Sequence, residues 1–525
     1  MFARKTRKRN RKGNRERNHR LLQQRKRRIL SRIAQVPQGE SEAPIMTASN
    51  IHYELADRVQ GLSAGGIGAM LLVARTTGLI DDIDHNVHLL KVHLPYHESD
   101  HVLNIAFNIL AGGQHIEHIE LRRNDEVFLN ALGAVRIPDP TTAGDFCRRF
   151  SEADVLSLMD TINQVRLRVW AQQPSEFFTE AVVDVDGTVV GTDGECKQGI
   201  DIAYNGVWGY HPLVVSLANT AEPLYLVNRS GNRPSHERAH IWIDKAIDLV
   251  RRAGFRRIYV RGDTDFSQTK HLDRWEALGN VRFLFGIDAY ENLKALADAL
   301  PAQAYTFLER PPRYQIKTAP RERPAHVKPE IVQQRGFETI HTLEEMVAEF
   351  EYQPVACKRS YRMVVVRKRL GHDRGQMRLF EEYRYLFYIT NDRTTPVDQI
   401  VFKANDRCDQ ENLIAQLKSG VKALVTPVDN LVSNWAYMVM ASLAWSLKAW
   451  SALLVPVTPR HAAKHEREKR SLLRMEFATF CATMIQMPCQ IVRTGRRFIY
   501  RLLSWNPWQG VFLRLVERLH GCRLC

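Results

Sequence analysis

The sequence predicts an α/β chain with a mixed central sheet, interrupted by a mainly β insertion and preceded by a helical region. Three observations carry this. Up to about residue 175 the apolar residues recur at helical spacing. Between 180 and 287, β-branched runs alternate with helical stretches. After 290 a Pro- and charge-rich stretch with strands of its own intervenes before the helical pattern returns.

The elements follow in order. In residues 50–175, Ser99-Asp100 fits the start of a helix through Val102, Leu103, Ile105, Ala106, Ile109 and Leu110, and Gly112-Gly113 would stop it. Pro138–Thr142 opens another helical stretch through Phe146 and Phe150 that ends near Trp170, with Thr141 or Thr142 as its cap. Ala181–Val190 then reads as a strand. His211–Leu217 and Leu224–Asn228 follow, split by the hairpin signal Asn219–Pro223. A helix at 236–253, a strand at Arg257–Arg261, a helix near 269–278 and a strand at Val281–Ile287 complete the order β-β-β-α-β-α-β. That order is an RNase H-like mixed sheet, not a doubly wound one. The strands Tyr361–Arg367 and Tyr383–Thr390 are read as an inserted β subdomain, and helices return at 398–420 and 431–454. The expected organisation is an arm and linker at 1–48, a helical region at 49–175, core at 176–289, insertion at 290–396, core again at 397–456 and a basic C-terminal segment at 457–525.

The formal charge is +16, and it is concentrated. Residues 1–32 hold fifteen Lys or Arg against the single acid Glu16, a net +14, leaving +2 for the rest of the chain. Such an arm buries no apolar surface and is expected to be disordered alone, binding nucleic acid by releasing counterions from phosphates. It is too densely charged for a secretory signal. The eight cysteines are scattered, which suits a reducing compartment, and Cys522-x-x-Cys525 has no second pair nearby to complete a zinc site. Trp435–Leu447 is apolar, but Lys448 closes the run short of the roughly 20 residues a span requires. A buried core helix, no membrane and a cytoplasmic, nucleoid-associated protein are expected.

His97-Glu98-Ser99-Asp100-His101 fits the zinc-protease string His-Glu-x-x-His. That chemistry needs both histidines on one helical face, and here His97 precedes the expected helix. The acidic set is more informative. Strand alternation puts Asp184 and Asp186 on one face of Val182–Thr188, and charges in so apolar a strand call for pairing or a metal. Asp263 sits at the carboxyl end of the strand ending at Arg261, where open α/β sheets place their sites, with Asp265 two residues on. On a regular helix Glu411 lies about 40° and Lys418 about 20° from Arg407, so all three would share a face.

Arg407-x3-Glu411-x6-Lys418 resembles the signature helix of cut-and-paste insertion-sequence transposases with a DDE active site. Asp186-Gly187-Thr188, Arg261-Gly262-Asp263, Asn205-Gly206, Gly209–Pro212 and the approach from Asn391 to Glu411 are similar to the DDE-domain transposases of group 1. The resemblance implies a metal-binding catalytic triad of Asp186, Asp263 and Glu411, with Arg407 and Lys418 on DNA phosphates. It also implies two Mg2+ ions, replaceable by Mn2+, with Asp186 bridging both and Asp263 and Glu411 holding one each. The partners implied are double-stranded DNA, both transposon ends and target, and a second copy of the chain in a synaptic homodimer. Asp186 is preferred to Asp184 because Gly187-Thr188 follows it, and Asp263 to Asp265 because it is nearer the strand end. Two departures stand out: Ala404 occupies the position of the signature tyrosine, and residues 276–434 contain no Trp, so Tyr and Phe would have to stack any flipped base. An RNase H-fold nuclease or resolvase, or an inactive domesticated DNA-binding protein, are the competing readings. In the helix after Thr142, Arg148 and Arg149 are candidates for reading guanine edges in the major groove.

The charge of the arm gives a first prediction. Deleting residues 1–32 should weaken binding to all DNA sequences alike and flatten the dependence of affinity on salt, because phosphate contacts carry no base information. A titration series in rising salt measures this, and an unchanged slope would count against it.

Overall fold

The computed structural model describes residues 2–34, 51–52, 59–93, 95–310, 327–335, 340–372, 382–494 and 497–521. The linker expected at 36–48 and the pair Cys522 and Cys525 lie outside these residues. The chain divides into two compact units, one of residues 174–190 and 200–414, the other of residues 1–173, 191–199 and 415–525.

The first unit is built on one mixed sheet of nine strands: β1 Glu180–Gly187, β2 Leu213–Leu217, β3 Glu222–Val227, β4 Arg257–Gly262, β5 Val281–Ile287, β6 Thr306–Phe307, β7 Ile340–Tyr352, β8 Tyr361–His372 and β9 Glu382–Thr390. Their spatial order is β6-β7-β8-β9-β5-β4-β1-β2-β3. The hairpin β2–β3 and the β1–β2 pair are antiparallel, whereas β1–β4 and β4–β5 are parallel. Parallel neighbours need a crossover, and helix α1 (Ala239–Ala253) supplies one, its apolar face packed on β1 to β4. Val183, Val185, Val215 and Val260 are fully buried, as β-branched residues of a sheet covered on that face should be.

The insertion differs from expectation in two ways. Strand β9 pairs antiparallel with β5, so β6–β9 extend the core sheet and do not form a subdomain of their own. A third long strand, β7, stands beside the two expected ones. Its sequence, with Glu344, Glu345, Glu349 and Glu351, hides it from a hydrophobicity pattern. Cross-strand partners explain it: Glu345 pairs with Lys368 at 2.7 Å, Glu344 with Arg369 at 3.4 Å, and Glu349 with Arg362. Opposite charges facing each other across an antiparallel pair stabilise it.

Behind the sheet's centre lies a buried ion pair. Strand register sets Asp184 of β1 opposite Arg261 of β4. The guanidinium donates from Nε and Nη2 to both carboxylate oxygens at 2.7 and 2.8 Å, with both side chains nearly inaccessible. Burial alone would pull the pKa of Arg261 down, but the hydrogen bonds and charge of Asp184 outweigh it, and the group is held charged.

In the second unit, Ile67–Thr76, Glu98–Leu110, Pro140–Arg148 and Glu152–Trp170 pack around Leu431–Leu454. That central helix is buried along nearly its whole length, and Lys448 does not end it: its Nζ donates to the Leu473 carbonyl at 2.9 Å over the ring of Trp445. Burial lowers the pKa of this lysine to about 7. No single helix among the described residues is long and apolar enough to cross a membrane. Asp139, not Thr141 or Thr142, caps Pro140–Arg148 by accepting from Thr142 N at 2.8 Å. Asp139 precedes the proline that begins the helix, which is where a cap belongs. His97 precedes Glu98–Leu110, and Glu98 accepts from Leu89 N and Leu90 N beside His93, so the His-Glu-x-x-His string serves loop anchorage. The arm also differs from expectation, because Phe2–Ala34 is helical. Having no apolar face of its own, it is held by polar contacts: Arg25 Nη1 donates to the carbonyls of Leu502 and Ser504, both at 3.0 Å, and Arg15 pairs with Glu517.

Because the Asp184–Arg261 pair is buried, breaking it should be far costlier than replacing it. Asp184→Ala or Arg261→Ala should each lose about 3–5 kcal/mol of stability in denaturant titrations, while Asp184→Leu with Arg261→Met should lose much less. Equal losses for the single and double replacements would contradict this account.

Candidate active site in the sheet unit

The ladder between β1 and β4 ends at the Asp184–Arg261 pair. Asp186, at the end of β1, and Asp263, just past the end of β4, each lie two residues beyond that pair on adjoining strands. Asp263 begins a tight 3-10 turn by accepting from Asp265 N at 3.0 Å. Gly262 is needed before it, since a Cβ there would come within 2.7 Å of Phe266 Cβ. The rival aspartates are accounted for: Asp184 is consumed by Arg261, and Asp265 is exposed and offers its backbone N–H to Asp263.

Glu411 arrives from helix α3 (Cys408–Ala415), which follows helix α2 (Val397–Asn405), and Arg407 from between the two. The expected single regular helix is broken between them, and Arg407 lies in the break. The cause is visible in the hydrogen bonds. In an unbroken helix the Lys403 carbonyl would accept from Arg407 N. Here that carbonyl accepts from Arg261 Nη1 at 2.7 Å, and Arg407 N turns instead to the Ala404 carbonyl. The turn aims the Arg407 guanidinium between the aspartates, with Nη1 3.2 Å from Asp186 and Nη2 3.6 Å from Asp263. Glu411, in the first turn of α3, is exposed and lines with Asp263 and Arg407 a cleft of about 710 Å3. Asp288, Lys294, Tyr383 and Tyr385 line its other walls.

The electrostatics are those of crowded acids around one cation. Burial raises the pKa of Asp186 to about 6; Arg407 opposes this, while Asp263 and Glu411 reinforce it. Asp263 is also raised, by burial first, then by Asp265 and Asp288 against Arg407. Among the described residues no three His, Cys, Asp or Glu side chains are placed as a ready cage for one metal ion. At this cleft the position between the aspartates is taken by the guanidinium. The donor set still fits a hard divalent cation: it is all carboxylate oxygen, and it contains two half-buried acids whose mutual repulsion a cation relieves.

The other candidate residues belong to the second unit. Lys418 lies in a π-helical turn, Gln416–Gly420, which departs from the regular spacing behind the shared-face argument; burial lowers its pKa. Arg148 is exposed, as a base-reading arginine must be, but its donors are engaged by Asp145 at 2.8 Å and Asp429 at 2.9 Å. Phe146 and Phe150 beside it are core. Arg149 is the exposed C-terminal cap of the same helix. Three polar residues of the sheet unit were not singled out from sequence: Arg261, Gln410 and Ser216. The spacing did hold a signal for Arg261, because Asp-x-Asp on one strand answers Arg-x-Asp on the next.

The fold and the cleft define an α/β protein whose candidate site is a cluster of carboxylates, two at adjoining strand ends and one on a helix. Residues 59–524 match the family of transposase DDE domain group 1, and the chain belongs to that family. The comparison with curated proteins gives no match. Among solved structures the chain is similar to the piggyBac transposase synaptic complex with hairpin DNA, at 10% sequence identity and a TM-score of 0.32, over 80% of this chain and 81% of that one.

Asp186 carries a pH prediction. Its pKa is raised in the folded protein from 3.8 to about 6, so its contribution to stability is fully present below about pH 4 and is lost as pH rises through 6. Asp186→Asn removes the titration. In thermal melts without added metal, the wild type should therefore lose ground to Asp186→Asn between pH 4 and 6, and the difference should be flat above 7. Parallel curves throughout would show that the carboxyl is not perturbed.

Proposed function

We propose that this transposase binds the ends of its element as double-stranded DNA, cleaves them and joins the 3′-hydroxyl ends to target DNA. The observation that carries the reading is the seating of Arg407 between Asp186 and Asp263, with Asp263, Arg407 and Glu411 lining one cleft, from three separated stretches of sequence. The strand order β3-β2-β1-β4-β5, with β2 alone of these five running antiparallel to the others, supports an RNase H-like core. Asp186, Asp263 and Glu411 would hold two magnesium ions, with manganese able to substitute. Bound ions of that kind activate an attacking oxygen and stabilise a leaving one. Arg407 neutralises the two aspartates until a scissile phosphate enters, then passes its bidentate donors to the phosphate oxygens. Lys418 serves as a second phosphate contact. Tyr383 and Tyr385 offer flat faces on the cleft wall in a chain whose insertion has no Trp. Cutting two ends calls for a homodimer on DNA, acting at the nucleoid.

The test is a set of single replacements assayed on end-bearing DNA. Asp186→Ala, Asp263→Ala and Glu411→Ala should each abolish cleavage and strand transfer while leaving end binding nearly intact, because the carboxylates serve the chemistry and not the docking. Robust cutting by any one variant removes that residue from the site. Cleavage without joining by the wild type would point to a plain nuclease.

A further inference from the structure

We infer that Gln410 is a positioning residue that fixes Glu411 along the axis of its helix, and that Ser216 is its anchor. The inference rests on the carboxylate reading above. Gln410 directly precedes Glu411, yet its side chain points into the sheet and is 1% exposed. Its Nε2 donates to the Val214 carbonyl at 3.0 Å, and its Oε1 accepts from the Ser216 hydroxyl, itself 1% exposed. Both partners lie on β2, and their places there are informative: Val214 is the register partner of Asp186, and Ser216 that of Asp184. The amide therefore measures the position of helix α3 against the strand residues that carry the first carboxylate and the buried ion pair.

The physical case is one of reach and directionality. Helix α3 follows a break that is bridged by three-residue turns (Arg407 N to the Ala404 carbonyl, Asp409 N to that of Asp406, Gln410 N to that of Arg407), so the regular helical ladder of α2 does not run through to Glu411. Sliding a helix by one residue moves a side chain about 1.5 Å, and a rotation of one residue swings it about 100°. Catalytic constellations tolerate roughly 0.5 Å. Apolar packing of Leu413 and Ile414 resists separation of helix and sheet but has little direction along the axis. A side-chain amide that donates to one group and accepts from another supplies that direction, and at a buried site its bonds are costly to leave unmade. Gln410 touches no reacting group, so it acts through Glu411.

The experiment uses the full-length chain and reads Mn2+ binding by calorimetry alongside end cleavage. Gln410→Leu removes both bonds and keeps the volume; Ser216→Ala removes one. The expected result is a loss of Mn2+ affinity of roughly 10–100-fold in Gln410→Leu, with a parallel loss of cleavage and unchanged binding of end DNA. Ser216→Ala should show a smaller loss in the same direction. A merely structural role would lower the melting temperature and leave the Mn2+ affinity of the folded protein at the wild-type value, and that result overturns the inference. If Gln410→Leu does not fold, wild-type Mn2+ affinity in Ser216→Ala overturns it equally. Glu411→Gln is the control on the underlying reading: if it binds Mn2+ and cuts as the wild type does, the carboxylate assignment fails and the inference falls with it. Full loss in Glu411→Gln with no change in either positioning variant rejects the inference alone.

Discussion

Arg261 lies under the acidic cleft with each of its three side-chain nitrogens hydrogen-bonded. Two donors grip Asp184 across the parallel strands β1 and β4, and a third takes the carbonyl of Lys403 at the end of α2. The first grip sets the register that brings Asp186 beside Asp263. The second removes a carbonyl from the helix ladder and opens the turn from which Arg407 reaches back over both aspartates. A charge this deeply buried needs its partner, and with the partner present the geometry is stiff. Strand register, helix break and the reach of Arg407 are thus consequences of one buried pair.

Above that pair the charges are left unbalanced. Asp186, Asp263, Asp265, Asp288 and Glu411 all bear on a small volume, and Arg407 is seated among them. Burial raises the acids, so the cleft favours whatever positive charge can enter it. Acids crowded in this way repel one another, and any cation among them relieves that repulsion. The arginine that relieves the strain is also the group best suited to hold a phosphate, since its planar fork serves carboxylate and phosphate alike.

The long strands added to the sheet edge follow a different logic. Strand β7 is rich in glutamates that a hydrophobic pattern rejects, but Lys368, Arg369 and Arg362 stand opposite them on β8. Beyond β8, strand β9 joins β5 and carries Tyr383 and Tyr385 to the cleft wall. The same preference for polar attachment holds in the second unit. There the basic N-terminal helix is tied down through Arg25 and Arg15, and Arg148 is occupied by Asp145 and Asp429.

The sequence by itself determined the strands of the core, their order, and Asp186, Asp263 and Glu411 as the acids to watch. Those features are local: alternation along Ala181–Asp186, a turn after Gly262 and a helical run after Cys408 depend on nearest neighbours along the chain. Only the tertiary structure showed that Asp184 is spent on Arg261. It also decided that the insertion extends the core sheet, that Arg407 stands in a break and not on a helical face, and that Gln410 looks inward to β2. Each of these turns on a partner far away in sequence: 77 residues from Asp184 to Arg261, 142 from Arg261 to Lys403 and 194 from Ser216 to Gln410. The patterns of a single segment carry periodicity and turn chemistry. They do not record which distant donor will meet which buried acceptor, because that is settled only when the sheet has brought its strands together.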